Sequence, residues 1–496
     1  MGRETRRTPG RVTTFQGRLL IPVLATLGVT GGLSIAGSGT PRATVARAAA
    51  VQGRPNVVVI ESDDQTLNSM RVMRNVNALI GARGATFKKS FANFALCCPS
   101  RATFLTGEYA HNHRVMSNQA PSGGFRRFES LHGHNNLAVW LHRAGYYTAM
   151  IGKYLNGYLF YPRVPPGWSE WHATANQKNY DYTLDENGPL VKYGQRPQDY
   201  KQDVLTGKAV RFIYRRAPRA SPFFLWLTYT SPHVSEPPHP NPPFNCGAAA
   251  YPAPRHAHAF DSEPLPKPPN FNEPNVSDKP AEIRNRPRLT PGQVNDIQRK
   301  YRCELESLLS VDEGVKRVIA ALRANGELRK TLVVYTSDNG YFHGEHRIPD
   351  GKGHIYEESI RVPLEMRGPG IPPGVKIGQL VINADLAPTI VDVANASPGL
   401  VMDGRSLIPV AQRPRIERGR ELLIEQPSFK AIRTWRYMYA AHRTGEKELY
   451  DLREDPFERH SVHDAPGYSS IRAQLARHLR KLKACAGRDC RLHSPP

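Results

Sequence analysis

The stretch NVVVIESDD (Asn56–Asp64) decides the fold: an unbroken apolar run enters directly into Glu61, Ser62, Asp63 and Asp64. A half-buried strand alternates apolar and polar residues, whereas one covered on both faces reads as a continuous apolar run. The same grammar recurs three times. YYTAMI (Tyr146–Ile151) leads into Gly152 and Lys153, and FFLWLTY (Phe223–Tyr229) into Ser231, Pro232 and His233. TLVVYT (Thr331–Thr336) leads into Ser337, Asp338, Asn339 and Gly340. Helical patterns separate several of these runs. NNLAVWLHRAG (Asn135–Gly145) has helical spacing and a glycine stop, and Leu305–Leu328 predicts a longer amphipathic helix. Strands alternating with helices predict an α/β domain with a largely parallel sheet.

Ligands in such sheets bind beyond the carboxyl ends of the strands. Asp63, Asp64, Lys153, His233, Asp338 and Asn339 are therefore expected on one rim. Each alone reads as an ordinary polar loop residue; four strands ending alike point to a site. Three carboxylates and an amide oxygen form a hard donor set, suited to Ca²⁺ or Mg²⁺ rather than zinc. No two cysteines stand in a C-x2-C pair, which argues against a structural zinc site.

A second stretch, CCPSRATFLTG (Cys97–Gly107), reads as a short helix with Pro99 at its first position and Gly107 as its stop. Cys97 or Cys98 then lies at a helix N-terminus, which favours an anion, with Arg101 one turn along. Three readings compete: a buried cysteine pair, a thiolate nucleophile, and a cysteine that is chemically converted. Thiol phosphatases carry C-x5-R, but Thr103 and Phe104 stand where that arginine is required.

Cys97-Cys98-Pro99-Ser100-Arg101 followed by Leu105-Thr106-Gly107 resembles the sulfatase signature C-x-P-S-R-x3-L-T-G. The resemblance extends through Asp63-Asp64, GKYLN (Gly152–Asn156), SPH (Ser231–His233), TSDNG (Thr336–Gly340), RVPLEMRGPG (Arg361–Gly370) and ELYDLREDPFE (Glu448–Glu458). It implies an alkaline-phosphatase-like large domain whose mostly parallel central sheet is flanked by helices, plus a small C-terminal α+β domain. It implies that a maturation enzyme oxidises Cys97 to formylglycine. One hydroxyl of the hydrated aldehyde attacks sulfur and displaces the alcohol; the second helps expel sulfate and restore the aldehyde.

The same resemblance implies one Ca²⁺ held by Asp63, Asp64, Asp338, Asn339 and residue 97. Arg101 holds the diol. Lys153 and Lys352 (in DGKGH) bind sulfate oxygens, and His233 protonates the leaving oxygen. ALCCPSRATFLTGEYAHNH, GKYLNGY and CAGRDCR are most similar to N-acetylglucosamine-6-sulfatases and extracellular heparan sulfate 6-O-endosulfatases. The expected substrate is therefore a sulfated sugar or glycan, attacked at the 6-O-sulfate of a glucosamine-type residue. The chain lacks the long basic insertion of the endosulfatases, which fits exo action better. Leu155 stands where many sulfatases carry histidine, and Glu108 where relatives often carry a base. His111 and His113 read as structural residues or as the lining of a sugar pocket.

Length and charge frame this reading. At 496 residues, one large and one small domain is the natural prior. Residues 1–50 are expected to be an export region: arginines, an apolar run, then ATVARAAA as a cleavage stretch. Arg6-Arg7 hints at twin-arginine export. The catalytic domain is expected over 51–412 and the small one over 413–496, in a secreted protein with no stable membrane insertion and no nucleic-acid partner. The formal net charge is +23, which attracts polyanions. Cys485 and Cys490 suit a local disulfide, leaving Cys246 with Cys303, although four cysteines allow three pairings. Residues 236–293 are proline-rich with little periodicity and are expected to cover the rim. Two alternatives stand beside the sulfatase reading: a formylglycine-dependent phosphonate monoester or phosphodiester hydrolase, and a non-catalytic polyanion-binding protein.

Overall fold

A computed structural model describes residues 53–158, 163–174, 176–217, 219–235, 246–414 and 419–492. The expected export region, and residues 236–245 of the proline-rich segment, lie outside the described residues. Ten strands form the large sheet: β1 (Asn56–Asp63), β2 (Ala85–Phe91), β3 (Tyr147–Gly152), β4 (Glu170–Thr174), β5 (Thr183–Glu186), β6 (Leu190–Lys192), β7 (Phe223–Pro232), β8 (Thr331–Ser337), β9 (Leu364–Arg367) and β10 (Val375–Ile382). Their order is β10-β2-β9-β8-β1-β7-β3-β4-β5-β6. The centre, from β8 to β4, is parallel throughout. β9 runs antiparallel between β2 and β8, and β5 and β6 close one edge antiparallel.

The continuous apolar runs have a direct cause. Val57 and Val59 of β1 enter the core on one face, while Val58 and Ile60 enter the core on the other. β7 divides likewise, with Phe224 and Trp226 on the first face and Leu225, Leu227 and Tyr229 on the second. Each fully buried residue of this kind contributes about 1.5–3 kcal/mol relative to exposure. The helix Leu137–Arg143 packs on the first face, capped by Asn136, whose side chain accepts from the Ala138 and Val139 N–H groups. The second face carries helices Lys201–Arg216 and Pro291–Ala324.

Two expectations need correcting. The long helix begins at Pro291, not near Leu305, because Thr290 and Gln293 form a reciprocal capping box and Pro291 occupies the first turn. Its first turns are largely polar and exposed, so they carry little apolar periodicity. The signature helix spans Cys97–Thr106 and ends at Gly107 (φ 71°), so Pro99 is its third residue, not its first. Proline is tolerated there because N–H groups of a first turn have no partner within the helix.

Four antiparallel strands, β11 (Leu422–Glu425), β12 (Phe429–Arg433), β13 (Tyr437–His442) and β14 (Lys447–Asp451), form a small C-terminal domain. The basic helix Ser469–Leu482 packs on them through Leu475, Leu479 and Leu482. Their core is shared with Phe91 of β2, Leu380 and Ile382 of β10, and Phe342 and Tyr356. Disulfides join Cys246 to Cys303 and Cys485 to Cys490, leaving Cys97 and Cys98 free. Among the described residues no helix is long and apolar enough to cross a membrane.

Candidate active site

The carboxyl ends of β1, β3, β7 and β8 converge, as the sequence predicts. Asp63 ends β1, and Asp64 follows in the left-handed region (φ 66°), which turns its carboxylate back over the strand ends. Oxygens of Asp63 and Asp64, Cys97 Sγ and a ring nitrogen of His233 lie within 4.8 Å of one another. Asp338 joins them from β8, its Oδ1 accepting from the Asp64 N–H at 3.2 Å. Asn339 donates from Nδ2 to Asp64 Oδ1 at 2.5 Å and to the Gly340 carbonyl at 3.0 Å. Its Oδ1 is buried with no hydrogen-bond partner.

The signature helix brings Cys97 to this point. Its Sγ lies 3.6 Å from Asp63 Oδ1 and 3.1 Å from Lys352 Nζ. The helix is anchored from below: Ser100 Oγ donates to the Asp338 carbonyl at 2.5 Å and accepts from Asn383 Nδ2 at 2.9 Å. Arg101 is fully buried. It donates from Nε to Asp338 Oδ2 at 3.0 Å and from Nη1 to the Lys153 carbonyl at 2.8 Å, while Nη2 lies 3.4 Å from Glu61 Oε1. Arg101 thus ties the ends of β3 and β8 to the helix.

Electrostatics hold the cluster charged. Burial opposes ionisation of Asp63, but Lys153, His233 and Arg101 outweigh it and hold the carboxyl at about 2. Asp64 is likewise lowered, with Lys352 and His233 overcoming its burial. The Lys153 and Lys352 ammonium groups each contact one of these carboxylates, on Asp63 and Asp64 respectively. His233 donates from Nδ1 to the Val234 carbonyl at 2.8 Å, so Nε2 faces the cluster, 3.8 Å from Asp64 Oδ2. Burial disfavours its cation, and Asp63 and Asp64 more than restore it, raising its pKa. All nine residues expected at the site are therefore brought together.

The donor set passes a test for a hard cation. Three buried carboxylates and an unpartnered amide oxygen converge, with no carboxylate left to an apolar wall. Calcium or magnesium suits such oxygens. Sequence reasoning missed Glu61, whose carboxyl burial pushes up to about 7 and whose Oε2 accepts from Trp226 Nε1 at 2.9 Å. It is the first residue of a visible acidic run, but its inward direction follows from the strand pleat only once the register is known. Leu155, where many sulfatases carry histidine, is buried among aromatic side chains. Glu108 lies beside Asp403 and His111, and its carboxyl is pushed up to about 7 by burial and Asp403. His111 bonds Glu425 and the Cys485 carbonyl, and buried His113 bonds Thr103.

Fold and site together define an α/β protein with a cluster of buried carboxylates, lysines and a cysteine at the strand ends. The family model Sulfatase matches residues 55–396, and the model for the N-sulphoglucosamine sulphohydrolase C-terminal region matches residues 344–485. The chain belongs to the sulfatase family. It is 36% identical over 378 residues to N-acetylglucosamine-6-sulfatase of Capra hircus, covering 74% of this chain and 65% of that protein. It is 34% identical over 410 residues to a putative extracellular sulfatase Sulf-1 homolog of Caenorhabditis elegans, covering 82% of this chain. The chain thus spans 65% and 54% of the lengths of these two relatives. The solved structure of BT4656 in complex with its substrate D-glucosamine-2-N,6-O-disulfate superposes with a TM-score of 0.71 at 24% identity, covering 87% of this chain and 98% of that one. That likeness establishes the fold.

Proposed function

We propose that the protein hydrolyses sulfate esters, with the 6-O-sulfate of glucosamine-type sugars as substrate. The observation that carries this reading is Cys97 at the start of a buried helix, with Asp63 on one side and Lys352 on the other. A structural cysteine has no need of these neighbours. Two relatives named for glucosamine 6-sulfate or extracellular sulfatase activity support the substrate class.

In this reading a maturation enzyme converts Cys97 to formylglycine, whose hydrate supplies the nucleophilic hydroxyl and a bound Ca²⁺ the charge that favours its ionisation. Asp63, Asp64, Asp338, Asn339 and residue 97 would hold the ion. Arg101, fixed by Asp338 and the Lys153 carbonyl, orients the side chain of residue 97. Lys153 and Lys352 turn from the carboxylates to the sulfate oxygens and stabilise the charge that develops there. His233, its Nδ1 engaged by the Val234 carbonyl, delivers a proton from Nε2 to the departing sugar oxygen. The protein acts outside the cell after export.

The test is the mass of the tryptic peptide Ser90–Arg101 from protein made in its native host, with assay on glucosamine 6-sulfate. Loss of one sulfur and two hydrogens with gain of one oxygen at residue 97, together with sulfate release, is expected. An unmodified, inactive protein supports polyanion binding instead. Faster turnover of phosphonate monoesters than of sulfate esters supports the phosphonate hydrolase reading.

A further inference from the structure

A second convergence of acidic side chains lies where the small domain meets the large one. A ring nitrogen of His346 and carboxylate oxygens of Glu358 and Glu458 lie within 4.8 Å of one another. His346 and Glu458 are buried. Glu273, also buried, accepts at Oε2 from His346 Nδ1 at 3.0 Å. Asn270 donates from Nδ2 to His346 Nε2 at 3.1 Å and to Glu358 Oε1 at 2.9 Å.

Charge does not balance here. Among the described residues no lysine or arginine nitrogen comes within 4 Å of the carboxylate oxygens of Glu273, Glu358 or Glu458. Lys279, the adjacent buried cation, spends its ammonium on the Glu458 and Arg459 carbonyls. Arg433 is paired with Glu357. Hydrogen bonding does not balance either. Glu458 Oε2 accepts from the Glu357 N–H at 2.9 Å, but its Oε1 is buried without a partner. Glu273 Oε1, Glu358 Oε2 and Asn270 Oδ1 are unpartnered and buried as well. Four orphaned oxygens in one neighbourhood are an unusual cost, because each unmet buried acceptor costs about 1–3 kcal/mol.

We propose that the carboxylates of Glu358 and Glu458, with the Asn270 amide oxygen, hold a hard divalent cation of the calcium class, separate from the one at Cys97, while His346 and Glu273 stand around them without ligating it. Carboxylate and amide oxygens are the donors such an ion prefers. One ion answers both imbalances at once. Turning the Asn270 amide over directs Oδ1 to where Nδ2 now faces Glu358 and His346, adding a neutral ligand. Glu358 also lines a cavity of about 320 Å³, together with His343, Glu345, Glu357, Arg361 and Phe457. Since Glu458 follows β14 while Glu358 and His346 belong to the large domain, the ion clamps the two domains together.

The experiment uses the full chain carrying Asp63→Asn and Asp64→Asn, which disables the first carboxylate cluster. After removal of metals, binding of Ca²⁺ alone is measured by equilibrium dialysis and by thermal unfolding. One Ca²⁺ per chain and a melting temperature that rises with Ca²⁺ are expected; no bound Ca²⁺ overturns the proposal. Adding Glu458→Gln, or Glu358→Gln should that variant not fold, is expected to weaken binding about 10-fold or more. Unchanged binding overturns the proposal, because the ion then lies elsewhere. Because the first cluster is disabled throughout, the result is independent of the assignment at Cys97.

Discussion

Adjacent cysteines in this chain meet different surroundings because their side chains leave the helix in different directions. Cys97 faces Asp63 and Lys352. Cys98 joins the packed core, and burial pushes its thiol up to about 12. Cys97→Ala is therefore expected to reduce sulfate ester hydrolysis to background. Cys98→Ala is expected to keep activity within about 10-fold, at a stability cost of about 1 kcal/mol. Equal loss in both variants refutes the assignment of the nucleophile. Arg101 supports a second expectation at this scale. A lysine lacks the planar fork that meets Asp338 and the Lys153 carbonyl together, and it leaves Glu61 and Asp338 partly uncompensated. Arg101→Lys is expected to destabilise the protein by about 3–5 kcal/mol in urea unfolding and to lower activity in parallel. Stability unchanged within error counts against that account.

Strands carry the residues to the site, and one of them depends on a glycine. Gly152 ends β3 with φ 119°, and a Cβ there would stand 1.8 Å from the Thr228 carbonyl oxygen of β7. Gly152→Ala is expected to part the two strands at the point where Lys153 leaves the sheet. The expected cost is about 3 kcal/mol or more, combining overpacking with a left-handed backbone, read as a lower urea midpoint. An unchanged midpoint would mean that β7 moves freely at this position. What the sequence made legible is also explained at this scale. The runs at β1, β3, β7 and β8 were readable because both faces are buried, and their polar ends were readable because the chain changes character there within one residue. β2 and β10 were not readable, since Lys88 and Lys89 break the apolar residues of β2, and Lys376, Gly378 and Gln379 those of β10, leaving neither a continuous run nor a clean alternation. The polar start of the helix Pro291–Ala324 was hidden for the same reason: exposed turns lack an apolar stripe. Glu273, His346 and Glu458 come from three separate loops and turns and Glu358 from the short helix Glu357–Ile360, so no spacing in the chain announces them.

Taken as a whole, the molecule is expected to respond to acid and to salt for separate reasons. His113 is buried with its ring nitrogens bonded to Thr103 and the Val115 N–H. Burial, with His132 adding repulsion, pushes its pKa from 6.5 down to about 3. A depressed folded pKa means that the unfolded chain takes up the proton first. Stability is fully present above about pH 6.5 and falls as the pH drops toward 3, by about 2 kcal/mol between pH 6.5 and 5 from this group alone. His113→Gln is expected to flatten that slope in melting curves recorded across the range; an unaltered slope refutes the role of His113. Charge sets the response to salt. The formal net charge is +23, and residues 1–50 hold seven arginines and one acid, so the remainder keeps about +17. Such a surface draws in polyanions over distances that salt screens, with a Debye length of about 10 Å at 0.1 M. A sulfated oligosaccharide feels that field along its whole length, whereas a single glucosamine 6-sulfate meets chiefly the fixed charges of the site. For the oligosaccharide, kcat/KM is expected to fall several-fold more steeply with added sodium chloride than for the monosaccharide. Parallel slopes would mean that the net charge plays no part in capture and that binding is confined to the pocket.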